Sequence, residues 1–447
     1  MASPQVLLLL GAHGALLFLF DLTAHPVLTL LFWAVAFAAL GWAVRAFHRA
    51  ELDGRPPGLR EILLVATALR VLLLPLPPTL SNDVLRYVWD GRVVVSGHNP
   101  YALPPEAEAL SGLRDELWEG MDHREVPTVY PPLALAFFSL AALAPLSSAG
   151  QIVVLKALLA AADLAACIAL VYLVRRRGVP LRRVLWYAWN PLVVLEVAGM
   201  GHVDALGVAA MVAAVLWLRT SVLGSAAAAS AGVLAKLVPL ILLPSWGLAS
   251  RRPLVFWAAA AALLCLTLLP VGLSTGGVPP GLQEYGVSWE FNGPLFEPLW
   301  RAFEALDSPA RVETWLNRRK DASGDIEFWN RWYPLNYPQL HAKLVLLGVL
   351  GIGVLWTLRS RDPVAGTGRL MSFVMICSAT LYPWYLLWIL PWAALCRQRA
   401  WLTLAGLSLL SYLPRLVPGV ELFPWVFAVI WIPFFLLLVR FPRWSTA

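Results

Sequence analysis

Long apolar runs recur from one end of the chain to the other and constrain its fold more than any other feature. Of the 447 residues, 59% are hydrophobic and only 14% are charged, whereas soluble domains carry about 25% charged residues. The runs predict spans near residues 6–20, 27–46, 61–78, 151–174, 184–200, 205–219, 224–236, 237–248, 254–273, 341–358, 370–382, 384–396, 400–413 and 422–440. The sequence therefore predicts an all-α polytopic membrane protein with a bundle of about 12–14 transmembrane helices.

Basic residues predict which side of the membrane each connection faces, because Lys and Arg concentrate in cytoplasmic loops. With both termini in the cytoplasm, 19 of the 34 basic residues lie on that side. They are Arg45, Arg49, Arg55, Arg60, Arg175, Arg176, Arg177, Arg182, Arg183, Arg219, Arg251, Arg252, Arg359, Arg361, Arg369, Arg397, Arg399, Arg440 and Arg443. This choice predicts two long extracytoplasmic loops, 79–150 and 274–340, within a single membrane domain over 1–447.

Three features of composition narrow the class further. No run of Lys or Arg is long enough for nucleic-acid binding, so the net charge of +7 is a topology signal. The four cysteines lie singly within apolar runs and predict neither disulfides nor a metal site. The run from Val6 to Phe20 lacks a preceding basic residue and is followed at once by another, so we expect a retained span and not a signal peptide.

A polar stretch from Thr79 to Pro132 interrupts the apolar runs. Helical spacing places four of its side chains on one face: Asp83, Arg86, Tyr87 and Asp90. We expect Ser81 to be the N-cap, which would put Asp83 in the first turn. Asp83 is then either a catalytic carboxylate at the mouth of a membrane pocket or a residue that only helps to start the helix.

The apolar segment 133–146 follows Tyr130-Pro131-Pro132. Counting it as a span would move the Arg175–Arg183 cluster to the outer side, against the distribution of positive charge. We therefore expect a helix that lies in the outer membrane interface.

Ionisable residues within or beside apolar runs usually face a cavity or a partner. They are Arg70, Lys156, Asp163, Glu196, His202, Asp204, Lys236 and Lys343. The predicted topology puts His202 and Asp204 at the outer end of a span, level with Asp83. A buried Lys236 requires an anion, which is either a carboxylate or a phosphate.

Aromatic and basic residues near other outer turns allow two interpretations each. Tyr382, Trp384 and Tyr385 form either an interfacial aromatic belt or a platform for a sugar or a lipid carrier. Arg415 is either an anion contact or a solvated anchor. No His or Cys cluster has metal-ligand spacing, and Asp83 lies too far from Asp90 for a D-x-D motif. Whether Mg²⁺ or Mn²⁺ bridges Asp83 and a phosphate is left open.

Together these segments resemble the GT-C superfamily of integral-membrane glycosyltransferases. The stretch from Ser81 to Tyr101, S-N-D-V-L-R-Y-V-W-D-G-R…G-H-N-P-Y, is most similar to bacterial polyprenyl-phosphate-mannose-dependent mannosyltransferases of the glycosyltransferase-87-like group. The resemblance covers roughly Leu63 to Leu243, and it continues through Tyr382-Pro383-Trp384-Tyr385.

The resemblance implies a polyprenyl-phosphate sugar donor, with mannose as the expected sugar, and a lipid-linked or glycan acceptor. It implies a site on the extracytoplasmic face of the bacterial inner membrane, with Asp83 as catalytic base and Lys236 near the lipid phosphate. The residue pattern and the resemblance together give these candidate substrate-binding residues: Asn82, Arg86, Tyr87, Asp90, Asn99, Tyr101, Tyr130, His202, Asp204, Lys236, Tyr382, Trp384, Tyr385 and Arg415. Asn82 stands where some members carry an acidic residue, and this departure leaves metal dependence open.

The expected reaction is a single in-line displacement that inverts the anomeric carbon, because a sugar on a lipid phosphate already carries its leaving group. Two alternatives belong to other classes: a transporter or flippase of a lipid-linked sugar, and a non-catalytic subunit with a GT-C-like fold. A third alternative lies within enzymes: a polymerase or ligase that moves whole lipid-linked glycans from a diphosphate donor.

Overall fold

A computed structural model describes residues 3–54, 58–360, 362–442 and 444. The extreme termini lie outside the described residues, as do three of the arginines predicted to be cytoplasmic: Arg55, Arg361 and Arg443. Throughout the described part the secondary structure is helical. The β-type pairing that the described residues contain is limited to isolated bridges of Phe291 and Asn292 with Thr380.

The first part of the chain contains helices α1 (Pro4–Leu19), α2 (Pro26–Leu52), α3 (Leu59–Leu73), α4 (Asp83–Val95), α5 (Glu116–Gly120), α6 (Pro132–Ala142) and α7 (Ser148–Arg176). A 3₁₀ helix at Glu108–Leu113 lies between α4 and α5. Helices α4 to α6 thus fill the first long loop, which the sequence predicts at 79–150.

The middle of the chain contains α8 (Leu185–Ala188), α9 (Pro191–Val194), α10 (Asp204–Trp217), α11 (Val222–Ala235), α12 (Leu243–Ala249) and α13 (Pro253–Thr275). Leu181–Val184 and Val238–Leu242 are 3₁₀ helices, and Leu195–Gly199 is a π-helical turn. The predicted span 184–200 is therefore not one continuous helix. Pro191 starts a new helix after the chain leaves α8, which is what the missing proline N–H favours.

The last part contains α14 (Pro280–Ser288), α15 (Phe296–Ala305), α16 (Ser308–Ser323), α17 (Ile326–Asn330), α18 (Pro338–Leu358), α19 (Pro363–Cys377), α20 (Leu390–Cys396), α21 (Arg399–Leu407), α22 (Leu413–Leu416) and α23 (Phe427–Arg440). Tyr333–Leu335, Pro383–Trp388 and Ser408–Tyr412 are 3₁₀ helices, and Leu422–Val426 is a π segment leading into α23. The predicted span 384–396 is also divided, since a proline lies in the first turn of each of its segments, Pro383 in the 3₁₀ helix and Pro391 in α20.

Among the described residues, five helices are long and apolar enough to cross a membrane: Pro26–Leu52, Ser148–Arg176, Pro253–Thr275, Pro338–Leu358 and Leu422–Arg440. Their outer surfaces are apolar, as Leu254, Leu266 and Val439 illustrate by being largely exposed. Such surfaces suit lipid and would be a liability in water. The prediction of an all-α polytopic membrane protein is confirmed.

Contacts between distant segments differ in kind at the two ends of the bundle. At one end, arginines that the charge distribution assigns to the cytoplasm meet acidic residues of neighbouring segments, with Arg182 paired to Glu51 and Arg177 to Asp362. At the other end the two long loops meet. The His123 and Trp289 rings are in tilted contact with their centroids 4.4 Å apart, and Gly281 packs against the Pro127 carbonyl.

Helix α4 is held against α6 by a close backbone approach. A Cβ on Gly91 would lie only 2.3 Å from the Phe138 carbonyl oxygen, so a larger residue does not fit there. The Tyr87 ring stacks on Phe138 at 4.7 Å with an interplanar angle of 2°. The segment predicted as an interfacial helix at 133–146 is the helix Pro132–Ala142, and it forms the support on which Asp83 is carried.

Candidate active site

A cavity of about 520 Å³ opens where the two long loops meet. Nine of the residues predicted from the sequence line it: Asn82, Asp83, Arg86, Tyr130, Lys236, Tyr382, Trp384, Tyr385 and Arg415. They come from α4, from the loop before α6, from the end of α11 and from the 3₁₀ helix and α22 near the C-terminus. The cavity therefore collects residues that are more than 300 positions apart in the chain.

Asp83 is the first residue of α4 and lies in the cavity wall with 34% of its side chain exposed. The N-cap is Asn82 and not Ser81, although the Ser81 hydroxyl accepts a hydrogen bond from the Asp83 N–H at 3.3 Å. Tyr87, one turn later on the same face, donates to Asp83 Oδ2 at 3.4 Å. The Asp83 carboxylate is therefore accessible from the cavity and is oriented by the hydrogen bond from Tyr87.

The electrostatic surroundings of Asp83 favour its neutral form more than water does. Burial in the cavity wall raises the pKa of the Asp83 carboxyl to about 6, an effect that the Lys236 ammonium opposes and the Asp204 carboxylate reinforces. A carboxyl with a pKa near 6 is ionised at neutral pH and yet a stronger base than an ordinary aspartate. This combination is suited to general-base catalysis.

Arg86 and Asp90 lie on the same helix face as Asp83, as the spacing predicts, but they form an ion pair with each other. Arg86 Nε donates to Asp90 Oδ1 at 2.8 Å, and the remaining guanidinium groups donate to the carbonyls of His123 at 3.1 Å and Val126 at 2.7 Å. Asp90 also accepts from the Thr128 hydroxyl and is buried. The pair thus fixes the loop 122–128 over the cavity, and Asp90 lies behind the wall.

Lys236 lies at the end of α11 and faces a carboxylate. Its Nζ is 2.9 Å from Asp204 Oδ1 and 3.1 Å from Oδ2, and it lies 4.4 Å from the centre of the Tyr385 ring. The indole of Trp388 also donates to Asp204 Oδ1. Asp204 is fully buried, whereas 19% of the Lys236 side chain is exposed on the cavity side. Of the two anions left open for Lys236, the structure contains the carboxylate.

Four rings form a stack along one side of the cavity. Phe291 stacks on Tyr382 at 4.3 Å, Tyr382 on Trp384 at 4.4 Å and Trp384 on His202 at 4.0 Å, each with an interplanar angle of 13° or less. His202 is the last ring of this stack and is buried, with Nδ1 3.7 Å from Asp83 Oδ2. A flat aromatic wall beside an acid and a base is a common surface for a sugar ring or a lipid chain.

Arg415 occupies another part of the cavity wall. Its Nε donates to the Thr79 carbonyl at 3.1 Å. The contact joins α22 to the segment that leads into α4. The guanidinium is thereby anchored within the same cavity as Asp83.

Six of the predicted site residues lie outside the cavity wall: Tyr87, Asp90, Asn99, Tyr101, His202 and Asp204. Asn99 donates to Ser274 at 3.2 Å and thereby connects the two long loops. Tyr101 donates to the Tyr130 carbonyl at 2.9 Å and orients that loop. The others contact Asp83, Arg86 or Lys236 from behind, so their placement is that of supporting residues.

Several cavity residues are absent from the sequence-based set, among them Asp122, His123, Tyr285, Trp289 and Tyr412. Tyr285 and Tyr385 are in hydroxyl-to-hydroxyl contact, so the second long loop contributes directly to the site. The sequence shows that this loop is long and rich in Trp and Pro, but it does not show which of its residues face the cavity.

No group of three or more His, Cys, Asp or Glu residues within the described ranges is arranged to hold a metal ion. Near Asp83, Arg86 is paired with Asp90 and Lys236 with Asp204. The donor set offers a phosphate the Lys236 ammonium and the Arg415 guanidinium, and it offers a hydroxyl the Asp83 carboxylate.

No curated protein and no solved structure matches the chain. A family model does: the N-terminal domain of alpha-(1→6)-mannopyranosyltransferases, the MptA_B family, matches residues 8–252, more than half of the chain. The match includes the whole of α4, the aspartate at its start and the Asp204–Lys236 pair. The chain therefore belongs to the alpha-(1→6)-mannopyranosyltransferase (MptA_B) family and is a multi-pass membrane mannosyltransferase of the GT-C type.

Proposed function

We propose that this mannosyltransferase moves mannose from a polyprenyl-phosphate donor to a hydroxyl of a lipid-linked or glycan acceptor, with Asp83 as the general base. The observation that carries the proposal is the partly exposed Asp83 carboxylate in the wall of a cavity that also presents Lys236. A base and a cation in one cavity match the two needs of the reaction, which are proton removal and stabilisation of a departing phosphate.

The lining of the cavity suits an amphipathic donor. Polar residues surround Asp83, while Leu237, Val238, Val374 and Met375 line the same cavity with apolar side chains. A polyprenyl phosphate has an anionic head and a hydrocarbon tail, and the bilayer is the phase from which it arrives. The apolar lining supports a lipid carrier over a water-soluble nucleotide sugar.

The proposed step is a single in-line displacement. The acceptor hydroxyl transfers its proton to Asp83 while its oxygen forms the new bond to the anomeric carbon. The bond from that carbon to the phosphate oxygen breaks, and both of its electrons leave with the lipid phosphate. Lys236 and Arg415 stabilise the charge on that phosphate, and the anomeric configuration inverts.

We place the site on the extracytoplasmic face of the bacterial inner membrane. The two long loops converge on the cavity, while Arg177 and Arg182 lie in ion pairs at the opposite end of the bundle. The positive-inside rule supports a cytoplasmic location for the arginine-rich end. A lipid-linked donor is consistent with this location, since nucleotide sugars are made in the cytoplasm.

The proposal is tested with purified protein in lipid nanodiscs. The probes are a polyprenyl-phosphate [¹⁴C]mannose as donor and an octyl α-mannoside as acceptor, and the product is a labelled octyl dimannoside. Asp83→Asn should lower the rate by about 10²- to 10⁴-fold, the usual contribution of a general base. Glu108→Gln is the matched control, because Glu108 lies in the same long loop with 92% of its side chain exposed.

Wild-type turnover with this donor, together with loss of activity in Asp83→Asn alone, would support the proposal. Full activity of Asp83→Asn would show that Asp83 is not the base. Turnover with GDP-mannose but not with the lipid donor would overturn the donor assignment and leave the family membership intact.

A further inference from the structure

A buried carboxyl and a buried imidazole lie directly behind Asp83. Glu196 and His202 have no exposed surface. His202 Nε2 is 3.2 Å from Glu196 Oε2, and His202 Nδ1 is 3.7 Å from Asp83 Oδ2. The Tyr412 hydroxyl donates to Glu196 at 3.0 Å and 3.3 Å. Tyr412, Glu196, His202 and Asp83 therefore follow one another with facing polar atoms 3.0 to 3.7 Å apart.

The backbone holds the two buried groups together. Leu195–Gly199 forms a π-helical turn, and the His202 N–H donates to the Glu196 carbonyl at 2.9 Å beyond it. Gly201 between them has a φ of +82°, which glycine adopts without strain. π-Helical turns are often found at functional sites. The stacking of Trp384 on His202 further fixes the plane of the imidazole.

The direction of hydrogen bonding along these groups follows from charge. No Lys or Arg among the described residues pairs with Glu196, and an isolated carboxylate without exposed surface is strongly disfavoured. A neutral carboxyl group has one O–H to donate and one carbonyl oxygen to accept. Tyr412 supplies the donor for that carbonyl, so the Glu196 O–H is free to face His202 Nε2. The imidazole N–H is then on Nδ1, on the side of Asp83.

We propose that Tyr412, Glu196 and His202 form a directed hydrogen-bond chain that positions Asp83, with a neutral Glu196 fixing the imidazole tautomer. The proposal rests on the proposed role of Asp83 as base. Neither ring nitrogen of His202 is aligned for a full hydrogen bond in the described structure. Such contacts are commonly long without substrate and tighten in the reacting complex.

The proposed hydrogen-bond chain and Tyr87 act on the same oxygen of Asp83. Tyr87 donates to Oδ2, and His202 Nδ1 faces Oδ2, whereas no hydrogen bond from a described residue reaches Oδ1. One oxygen is thus held and the other is left for the acceptor hydroxyl. The titratable and charged groups that surround Asp83 are Tyr87, Asp122, Tyr130, Glu196, His202, Asp204, Lys236, Tyr285, Tyr382, Tyr385 and Tyr412.

The test compares Glu196→Gln with Glu196→Leu in the nanodisc assay across pH 4.5 to 8.5. Gln retains a donor for His202 and an acceptor for Tyr412, so its kcat/KM should stay within about threefold of the wild type. Leu removes both. The acidic limb of the pH profile of kcat/KM should then move to a pH about 1 unit higher, because ionised Asp83 loses a hydrogen bond. At pH 5, below the limb, kcat/KM of Glu196→Leu should therefore fall by about tenfold, and at pH 7 by only about twofold.

His202→Phe is the second variant, because phenylalanine preserves the stacking on Trp384 and removes both ring nitrogens. It should move the acidic limb in the same direction as Glu196→Leu, and it carries the test if Glu196→Leu fails to fold. Thr367→Val is the matched control. It removes the buried hydrogen bond of 2.8 Å from the Trp246 indole, away from the cavity, and should lower thermal stability without moving the limb.

Two results would overturn the proposed hydrogen-bond chain. Loss of activity in Glu196→Gln equal to that in Glu196→Leu would mean that the ionised carboxylate is needed. An acidic limb that stays at its wild-type position in both Glu196→Leu and His202→Phe would mean that the proposed hydrogen-bond chain does not act on Asp83. Either result leaves Asp83 as base if Asp83→Asn is inactive, so failure of the chain and failure of the proposed function are distinguishable.

Discussion

Lys236 Nζ lies 2.9 Å from Asp204 Oδ1, so the main cation of the cavity is already paired with a fully buried carboxylate. The pair balances the charge of Asp204, and Tyr385 covers the ammonium from one side. Part of the Lys236 side chain is nevertheless exposed to the cavity. We infer that the ammonium holds Asp204 in the resting protein and has donor capacity left for a substrate phosphate.

Removing Lys236 should separate its structural role from its role in catalysis. Lys236→Met leaves Asp204 without its counter-ion, and breaking a buried pair in this way costs about 3–5 kcal/mol. Asp204→Asn in the same chain removes the unpaired charge. The double variant should therefore recover thermal stability, measured by fluorescence in detergent, while transferase activity stays reduced by about 10²-fold.

Lys236→Arg is the matched control for charge. Recovery of both stability and activity in the double variant would show that Lys236 acts only as the partner of Asp204. Loss of activity in the double variant with normal stability is the result that a phosphate contact requires.

Asp83 should make stability and activity respond to pH in opposite directions. Burial raises the pKa of its carboxyl from 3.8 to about 6. Stability from this group is therefore full below pH about 3.8 and is lost as pH rises through about 6. The rate, which needs the ionised base, should instead rise through pH about 6.

Asp83→Asn tests the stability half of this prediction. The substitution should raise the thermal midpoint relative to the wild type at pH 8 and have less effect at pH 4, as measured by nanodisc thermal unfolding. Glu108→Gln, at an exposed position, should change neither value. A lower midpoint for Asp83→Asn at pH 8 would contradict the prediction.

Local patterns in the sequence predicted the part of the site that one helix carries. The spacing of Asp83, Arg86, Tyr87 and Asp90 places them on one face, and the structure shows the contacts that this face implies. The burial of Lys236 called for an anion. Periodicity and charge are sufficient for such predictions because they concern neighbours along one helix. The functional roles of these residues stay predictions.

Contacts between distant segments could not be read from the sequence. Asp204 and Lys236 are 32 residues apart, and nothing in the spacing distinguishes a carboxylate partner from a phosphate. Tyr285 reaches the site only because the second long loop folds over the first. The turn Leu195–Gly199 falls inside an apolar run, which hides the irregular backbone that brings Glu196 to His202. These features depend on packing and not on local pattern.

Gly91 should be intolerant of even one added methyl group. A Cβ there would lie 2.3 Å and 2.4 Å from the Phe138 carbonyl oxygen and carbon, which are backbone atoms that a rotamer change cannot move. Gly91→Ala should therefore force α4 away from α6. We expect a loss of about 1–3 kcal/mol of stability, typical of overpacking, together with lower kcat because Asp83 moves with α4.

Gly112→Ala is the control, since it lies in the same long loop and a Cβ there has no heavy atom within 4 Å. Thermal unfolding and the transferase assay on both variants check the prediction. Equal behaviour of the two alanine variants would show that the contact of α4 with α6 is not needed to hold Asp83.

Arg415 offers the opposite case to Lys236, because its known bond is to a backbone carbonyl and not to a carboxylate. Its Nε donates to Thr79 at 3.1 Å within the cavity wall. Arg415→Gln removes a charge without leaving a buried carboxylate unpaired, so thermal stability should change by less than about 1 kcal/mol.

If Arg415 contacts the donor phosphate, Arg415→Gln should have a higher KM for the polyprenyl-phosphate donor and a weaker dependence of KM on salt concentration. Arg415→Lys keeps the charge but not the paired N–H groups of the guanidinium, so its KM should lie between those of the wild type and Arg415→Gln. An unchanged KM and salt dependence in Arg415→Gln would instead mean that Arg415 anchors Thr79 and takes no part in donor binding.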